Sequence, residues 1–322
     1  MKFAILAPGK IAHSLARTVA QLEDVERYAV ASRDYEKARA FAKEWGFKKA
    51  YGSYEEMLSD PEIDLVYVAS PHSHHYEHAL LCLEHGKNVL VEKAFTVNTA
   101  QAQKLVQTAR EKGLLLAEAI WTRYMPSRKM IDELLETGVI GKVTSLTANL
   151  GYILPHVERM QNPALAGGAL LDLGVYPINF ALMTFHVPVK TVSAKAVMSP
   201  RGIDWINSIT LTFDDGRMAV LHSNMLAQTD RLGVIYGDKG YLEIQNINNC
   251  EEIRVFGLDR TLQARYQVPE QISGYEYEVL SCIKALEEGK VECEEMPHTE
   301  ILRVMSIMDE IRGQWGMKFP CE

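Results

Sequence analysis

The sequence predicts an α/β protein. Residues 1–120 read as a doubly wound parallel sheet, and residues 121–322 as an α+β domain on an open, mostly antiparallel sheet. Three observations predict this. Apolar runs of strand length alternate with helix-period segments six times before the pattern breaks, and such uninterrupted runs mark strands buried on both faces. The period then changes to two, with turn signals at Asp214-Asp215-Gly216 and Asp238-Lys239-Gly240. A chain of 322 residues is also long for a single core, so two domains are expected.

Residues 3–7 form the first buried strand. Ala7-Pro8-Gly9-Lys10-Ile11-Ala12 opens a helix with Ile11, Leu15, Val19 and Leu22 on one face. A second strand, Tyr28-Ala29-Val30-Ala31-Ser32, leads through Arg33-Asp34 into a helix with Ala38, Phe41, Ala42 and Trp45 on one side. A short strand at Lys49-Ala50-Tyr51 precedes the capping-box spacing Ser53-Tyr54-Glu55-Glu56. The fourth strand is Leu65-Val66-Tyr67-Val68-Ala69-Ser70, with a helix after it to about Glu84. The fifth, Asn88-Val89-Leu90-Val91-Glu92-Lys93, ends in a carboxylate and an ammonium. Asn98 starts a helix to Lys112, and Leu114 to Ala119 is the sixth strand. The second part reads as a helix over 125–137, a strand over 143–150 and a helix over 174–185. Period-2 strands follow over 189–256, then helices near 273–288 and 298–313.

Composition narrows the function. Apolar content of 47% and charged content of 24% suit an ordinary globular protein. A net charge of −8 argues against a nucleic-acid partner, because phosphate binding needs a basic surface. No run approaches the length of a membrane span, and the N-terminus lacks the pattern of a signal peptide. Five scattered cysteines with no CxxC pair predict a cytoplasmic protein with reduced thiols.

Ligands of open α/β sheets bind beyond the carboxyl ends of the strands, which places Lys93 where a reacting group belongs. The dinucleotide fingerprint wants three small residues spaced G-x-G-x-x-G. Here they are Ala7, Gly9 and Ala12, with Lys10 and Ile11 supplying amides beside the critical Gly9. A site specific for NAD carries Asp or Glu at the end of the second strand. This chain has Ser32-Arg33, a hydroxyl and a guanidinium suited to a 2′-phosphate, so NADP is expected over NAD. NAD stays possible, since Asp34 is near enough in sequence to reach a ribose hydroxyl.

Ser70-Pro71-His72-Ser73-His74-His75-Tyr76-Glu77-His78 sits at the end of the fourth strand. Ser70, Pro71, His72 and His75 are assigned to the nucleotide or its loop. His74 and His78 have a spacing that can hold a metal, but nothing adjacent in sequence completes a site, so no metal is expected. In the second domain the paired Gly167-Gly168 suggest a backbone that something approaches closely. Asp172 and Tyr176, four apart, would share a helix face. A Tyr hydroxyl, with an ordinary pKa near 10, titrates lower beside a Lys ammonium and can then exchange a proton with an alcohol. In isolation both residues read as helix cap and packing.

Glu92-Lys93, Ser70-Pro71 with His75, and Gly168 through Tyr176 give the chain a resemblance to the Gfo/Idh/MocA family of oxidoreductases, over essentially its full length. Within it the chain is similar to the dimeric trans-dihydrodiol dehydrogenases, which also oxidise D-xylose with NADP. Glu118-Ala119-Ile120-Trp121-Thr122-Arg123, Ala50 through Glu56, Gly167 through Asp172 and Lys318-Phe319-Pro320 carry that likeness. The resemblance implies a Rossmann domain followed by a sheet domain that forms an oligomer interface, hence a homodimer. It implies hydride transfer between NADP and a secondary alcohol or hemiacetal carbon of a sugar or diol. Lys93 matches the catalytic lysine, Tyr176 the acid/base and Asp172 the acidic residue that orients substrate or lysine. Glu92 and Lys93 then border the cofactor, and Trp121 and Arg123 line the nicotinamide pocket. A noncatalytic NADP-binding regulator, or a reductase of an imine or tetrapyrrole, stays open on the same scaffold. Ala94 stands where the family has proline, which leaves the Lys93-Ala94 turn undetermined, and Pro8 removes one amide beside Gly9.

Overall fold

The computed structural model describes residues Met1–Glu322. The N-terminal elements are β1 (Lys2–Leu6), α1 (Lys10–Val19), β2 (Glu26–Ala31), α2 (Tyr35–Trp45), β3 (Lys49–Tyr51) and α3 (Tyr54–Leu58). They continue with β4 (Leu65–Val68), α4 (His72–Glu84), β5 (Asn88–Glu92), α5 (Thr99–Lys112) and β6 (Leu116–Ala119). The second series has α6 (Pro126–Glu136), β7 (Val143–Gly151), α7 (Val175–Thr184), β8 (Val189–Met198), β9 (Asp204–Phe213) and β10 (Met218–Asn224). It closes with β11 (Gly233–Gly237), β12 (Gly240–Gln245), β13 (Glu252–Gly257), β14 (Leu262–Gln267), α8 (Glu276–Glu287) and α9 (His298–Trp315).

The first sheet has the order β3-β2-β1-β4-β5-β6, parallel throughout. Its central strands are buried on both faces, as their unbroken apolar runs require. The helices start where the sequence supplies caps. The Asp34 carboxylate accepts the Glu36 and Lys37 amides at the head of α2, and the Ser53 hydroxyl accepts the Glu56 amide of α3. The second sheet has the order β14-β13-β12-β11-β7-β10-β9-β8. It is mixed, since β10 pairs parallel to β7 and every other pair is antiparallel. One face of this sheet is buried through Leu146, Leu211, Leu221, Ile235, Leu242 and Val255.

The chain forms two compact units, Met1–Tyr124 with Gln271–Met305, and Met125–Glu270 with Ser306–Glu322. The sequence reading assigns residues 271–305 to the C-terminal domain, whereas here they fold onto the first unit. Contacts explain this. The Tyr275 ring stacks on Trp121, centroids 4.3 Å apart, and the Ser273 and Thr18 hydroxyls lie 2.8 Å apart. His298 Nε2 lies 2.9 Å from the Leu116 carbonyl. The amphipathic period of α8 shows that one face is covered, not which sheet covers it.

A second difference concerns Pro163–Thr184, a stretch of 22 residues that in length and apolar composition would suit a membrane span. Asp172 and Asn179 interrupt its apolar run in sequence. From Ala166 onward it is buried within the protein. Its π-helical turn and α7 lie in the core against β7 and β10, which accounts for the composition.

Candidate active site

At the end of β1 the chain turns sharply. Ala7 takes φ +66°, the left-handed conformation that glycine usually supplies. Gly9 follows at φ −89° and caps α1 with no side-chain bond. The first amides of any α-helix lack intrahelical partners, so Lys10 and Ile11 present N–H groups at the positive end of α1, which has no acidic residue in its first turn.

Nothing in the protein requires glycine at position 9. Its φ is ordinary, and an added Cβ would meet only the Ala69 and Ala7 carbonyl oxygens, at 3.6 and 3.9 Å. The open space above it therefore suits a ligand's close approach. Ser70, one residue beyond that Ala69 carbonyl, carries a buried hydroxyl with no protein partner. Both observations fit a dinucleotide at this edge.

Gly167 and Gly168 have a different cause. A Cβ on Gly167 would lie 2.6 Å from the Arg159 and Met160 carbonyl oxygens. Gly168 takes φ +114°, and a Cβ there would lie 2.5 Å from the buried Asp204 carboxylate. Something does approach this backbone closely, as the paired glycines suggest, and it is the protein itself.

At the end of β2 the Ser32 hydroxyl accepts the Asp34 amide at 3.2 Å, and Asp34 is committed to capping α2. Arg33 borders a cleft of about 760 Å³ lined also by Tyr54, His74, Tyr76 and His78. The His78 ring packs edge-on to Tyr54, and burial pushes its pKa down to about 4, so it is neutral at pH 7. His74 and His78 stack loosely at 5.5 Å.

At the end of β5 the turn carrying Lys93 is gripped from several sides, and the Lys93-Ala94 peptide is cis. Glu92 accepts the Tyr67 hydroxyl in the core and, through Oε2, the Lys93 amide at 3.1 Å. Glu118, on β6, accepts the Phe95 amide at 3.0 Å. Burial raises the Glu118 pKa to about 7, with Arg123 and the Phe95 amide opposing. His75 is buried with both ring nitrogens 2.8 Å from backbone carbonyl oxygens, of Ala94 and Ser70. Pro71 is the N-cap residue of α4, and His72, buried, opens that helix. Trp121 lies under Tyr275, and Arg123 is 6% exposed and pairs with Glu300 at 3.0 Å.

In the second unit, Asp172 sits in a π-helical turn over Leu170–Gly174 that runs into α7, where Tyr176 occupies the first turn. Such turns recur at functional sites. Both residues are buried. Asp172 accepts two bonds from the Arg159 guanidinium at 3.1 Å, a partner the sequence reading missed because it lies thirteen residues upstream in an irregular loop. Also missed were Tyr67, Glu118 and Glu278. Glu278 is fully buried, and neither carboxyl oxygen has a hydrogen-bond partner. Burial, with the nearby Glu92 charge adding to it, raises its pKa well above the ordinary carboxylate range. No sequence signal marks Tyr67 or Glu278, which lie in an ordinary strand and helix, and Glu118 stands there only within a segment of family likeness.

Comparisons with known proteins agree on one family. Residues 1–119 match the GFO_IDH_MocA model, described as an oxidoreductase family with an NAD-binding Rossmann fold. Residues 129–243 match the GFO/IDH/MocA C-terminal domain. A trans-1,2-dihydrobenzene-1,2-diol dehydrogenase of Xenopus tropicalis is 36% identical, covering 99% of this chain and 99% of its own. An NADP(+) D-xylose 1-dehydrogenase of Hypocrea jecorina is 34% identical, covering 99% of this chain and 93% of its own. Among solved structures, a 3-ketoreductase of Actinomadura kijaniata, in complex with NADP and TDP-benzene, superposes with a TM-score of 0.90. It is 25% identical and covers 97% of each chain.

Two stability outcomes follow. In urea unfolding, Gly168→Ala should cost about 1–3 kcal/mol, whereas Gly9→Ala should change stability by no more than about 0.5 kcal/mol. Equal losses would remove the distinction between the two glycines. Glu118 contributes in a pH-dependent way. Its pKa is raised from 4.5 to about 7 on folding, so its contribution is complete below 4.5 and is lost as pH rises through 7. Glu118→Gln should flatten that decline, and an unchanged slope between those values would contradict it.

Proposed function

The chain belongs to the GFO/IDH/MocA oxidoreductase family, and from that premise we propose that it transfers a hydride between NADP and a secondary alcohol or hemiacetal carbon of a sugar or diol. One observation carries the reading. A single parallel sheet presents the unobstructed Gly9 and the α1 amides at the end of β1, and the anchored Lys93 turn at the end of β5. The substrate class is supported by the dehydrogenases of a diol and of xylose that the chain resembles along its length.

NADP, when bound, supplies the carbon that gives or takes the hydride. Lys10 and Ile11 hold the pyrophosphate through their amides, beside Gly9 and Ala7. Ser32 and Arg33 take the 2′-phosphate, because the Asp34 carboxylate that would bind a ribose hydroxyl already caps α2. Ser70, Pro71 and His72 form the wall of the nucleotide site. Glu92 and Trp121 border the nicotinamide end. Lys93 binds the substrate oxygen, Tyr176 exchanges its proton, and Asp172, braced by Arg159, orients substrate.

We extend the proposal to a homodimer in a reducing, cytoplasmic setting. The face of the second sheet opposite its buried side carries Met218, Val220 and Tyr236, all exposed. Met218 and Val220 alternate along β10 with buried residues, and Met218 and Tyr236 both pair with Ser145 of β7, so the three share one face. Five scattered cysteines suit a compartment that keeps thiols reduced.

Steady-state assays with NADP and NAD should give a kcat/KM ratio favouring NADP. Arg33→Ala should cut the NADP value by roughly ten- to a hundredfold, the scale of losing a charge-assisted bond, and leave the NAD value nearly unchanged. Gly9→Ala should weaken binding of both nucleotides. A ratio near unity in the unaltered enzyme would end the case for NADP. Tyr176→Phe should lower kcat by about 10²-fold, within the range of general acid–base help, with NADPH affinity retained. Lys93→Met should behave alike, and wild-type turnover by either variant would remove that residue's role. Val220→Glu should shift sedimentation from dimer to monomer. A wild-type protein that sediments as a monomer would dismiss the interface.

A further inference from the structure

The ring of His75 lies in the core of the first unit, 1% exposed. Nδ1 is 2.8 Å from the Ala94 carbonyl oxygen, and Nε2 is 2.8 Å from the Ser70 carbonyl oxygen. Carbonyl oxygens only accept hydrogen bonds. A neutral imidazole has one N–H, so one of the two contacts would set a nitrogen lone pair against an oxygen lone pair. Only the imidazolium has a donor for each.

The two carbonyls belong to different segments. Ser70 follows β4, and Ala94 is the residue after Lys93 beyond β5. β4 and β5 are neighbours in the sheet. The ring therefore ties the ends of two adjacent strands at the point where Lys93 leaves the sheet.

We infer that His75 is held as a buried imidazolium that bridges the Ser70 and Ala94 carbonyls, and that it is the positioning residue for the Lys93 turn. The inference rests on the reading of Lys93 above.

Its surroundings divide. Burial and the Lys93 ammonium on the adjoining turn disfavour the cation. On α4 itself, His72 stands edge-on at 5.5 Å, and His78 is neutral at pH 7. The Glu92 carboxylate at the end of β5 favours the cation, as do the two charge-assisted bonds. Glu118 holds the same turn from β6 at Phe95. The tie is intact while the ring is doubly protonated. As pH rises through the ring's pKa, one bond is lost and the turn loosens.

The test uses the holoenzyme, saturated with NADPH and labelled with ¹⁵N-histidine. Long-range ¹H–¹⁵N spectra at about pH 7.5 would show an ordinary histidine, with a pKa near 6.5, mostly neutral. The expected result is one ring with both nitrogens protonated there, absent from the spectrum of His75→Gln. A ring assigned to His75 with a single protonated nitrogen would overturn the inference. In kinetics, His75→Gln should lower kcat by at least about tenfold, or roughly 1.4 kcal/mol in the barrier. The NADPH dissociation constant should change by less than about threefold, a split that general loss of structure would not give. His75→Phe, which has no donor, should be slower still. Wild-type kcat in His75→Gln would refute the positioning role. If a variant fails to fold, the spectra of the unaltered holoenzyme still decide the charge. Lys93→Met with full turnover would overturn the reading of Lys93 and with it the positioning role, and the nitrogen spectra would report the ring's charge independently.

Discussion

A carboxylate at the end of a buried strand must find donors, and the way Glu92 finds them governs the first unit. One oxygen takes the hydroxyl of Tyr67, a fully buried side chain on the neighbouring strand. The other takes the amide of Lys93. Burial and the Glu92 charge push the Tyr67 phenol well above its ordinary pKa, so it stays a donor throughout the working range. The lysine thus leaves the sheet from a backbone fixed to the core on one side by Glu92 and beyond it by Glu118 and His75.

The same logic separates two kinds of glycine. Gly167 and Gly168 are small because Arg159, Met160 and Asp204 already occupy the space a side chain would need. Gly9 is small although its surroundings would accept a methyl group. A residue whose smallness the fold does not require points outward, to what binds there. Ala7 makes the complementary point. The fingerprint glycine is gone from the sequence, yet the backbone keeps the left-handed turn that glycine serves.

Residues 271–305 complete the first unit and add Glu276 and Glu278 to its buried carboxyls. Tyr275 covers Trp121, Glu300 neutralises Arg123, and Glu278 lies in the interior with Glu92, Glu118 and Glu276 as electrostatic neighbours. Carboxyls so placed cannot all ionise, because each charge raises the cost of the next in a medium that solvates poorly. Glu278 has no donor to compensate a charge, and its pKa is raised well above the ordinary range.

Much of this was legible in the chain. The six-fold alternation gives the parallel sheet, and the switch to period two gives the second one. The caps at Ser53 and Asn98 set helix starts to within a residue. These are local properties, fixed by side-chain period and by which residues can satisfy the first amides of a helix. Lys93, Gly9 and Tyr176 stood out because each occupies a defined place relative to a strand or helix end. The sequence could not say that Asp34 is spent on its own helix, or that Asp172 belongs to Arg159. Nor could it reveal that the paired glycines answer to their own chain, or that residues 271–305 fold back on the first unit. Those outcomes depend on which distant groups share a small dry space, and neither period nor spacing encodes that. The charge on His75 is of the same kind. One histidine in a polar run says nothing of its protonation, and two carbonyl oxygens brought from separate strands decide it.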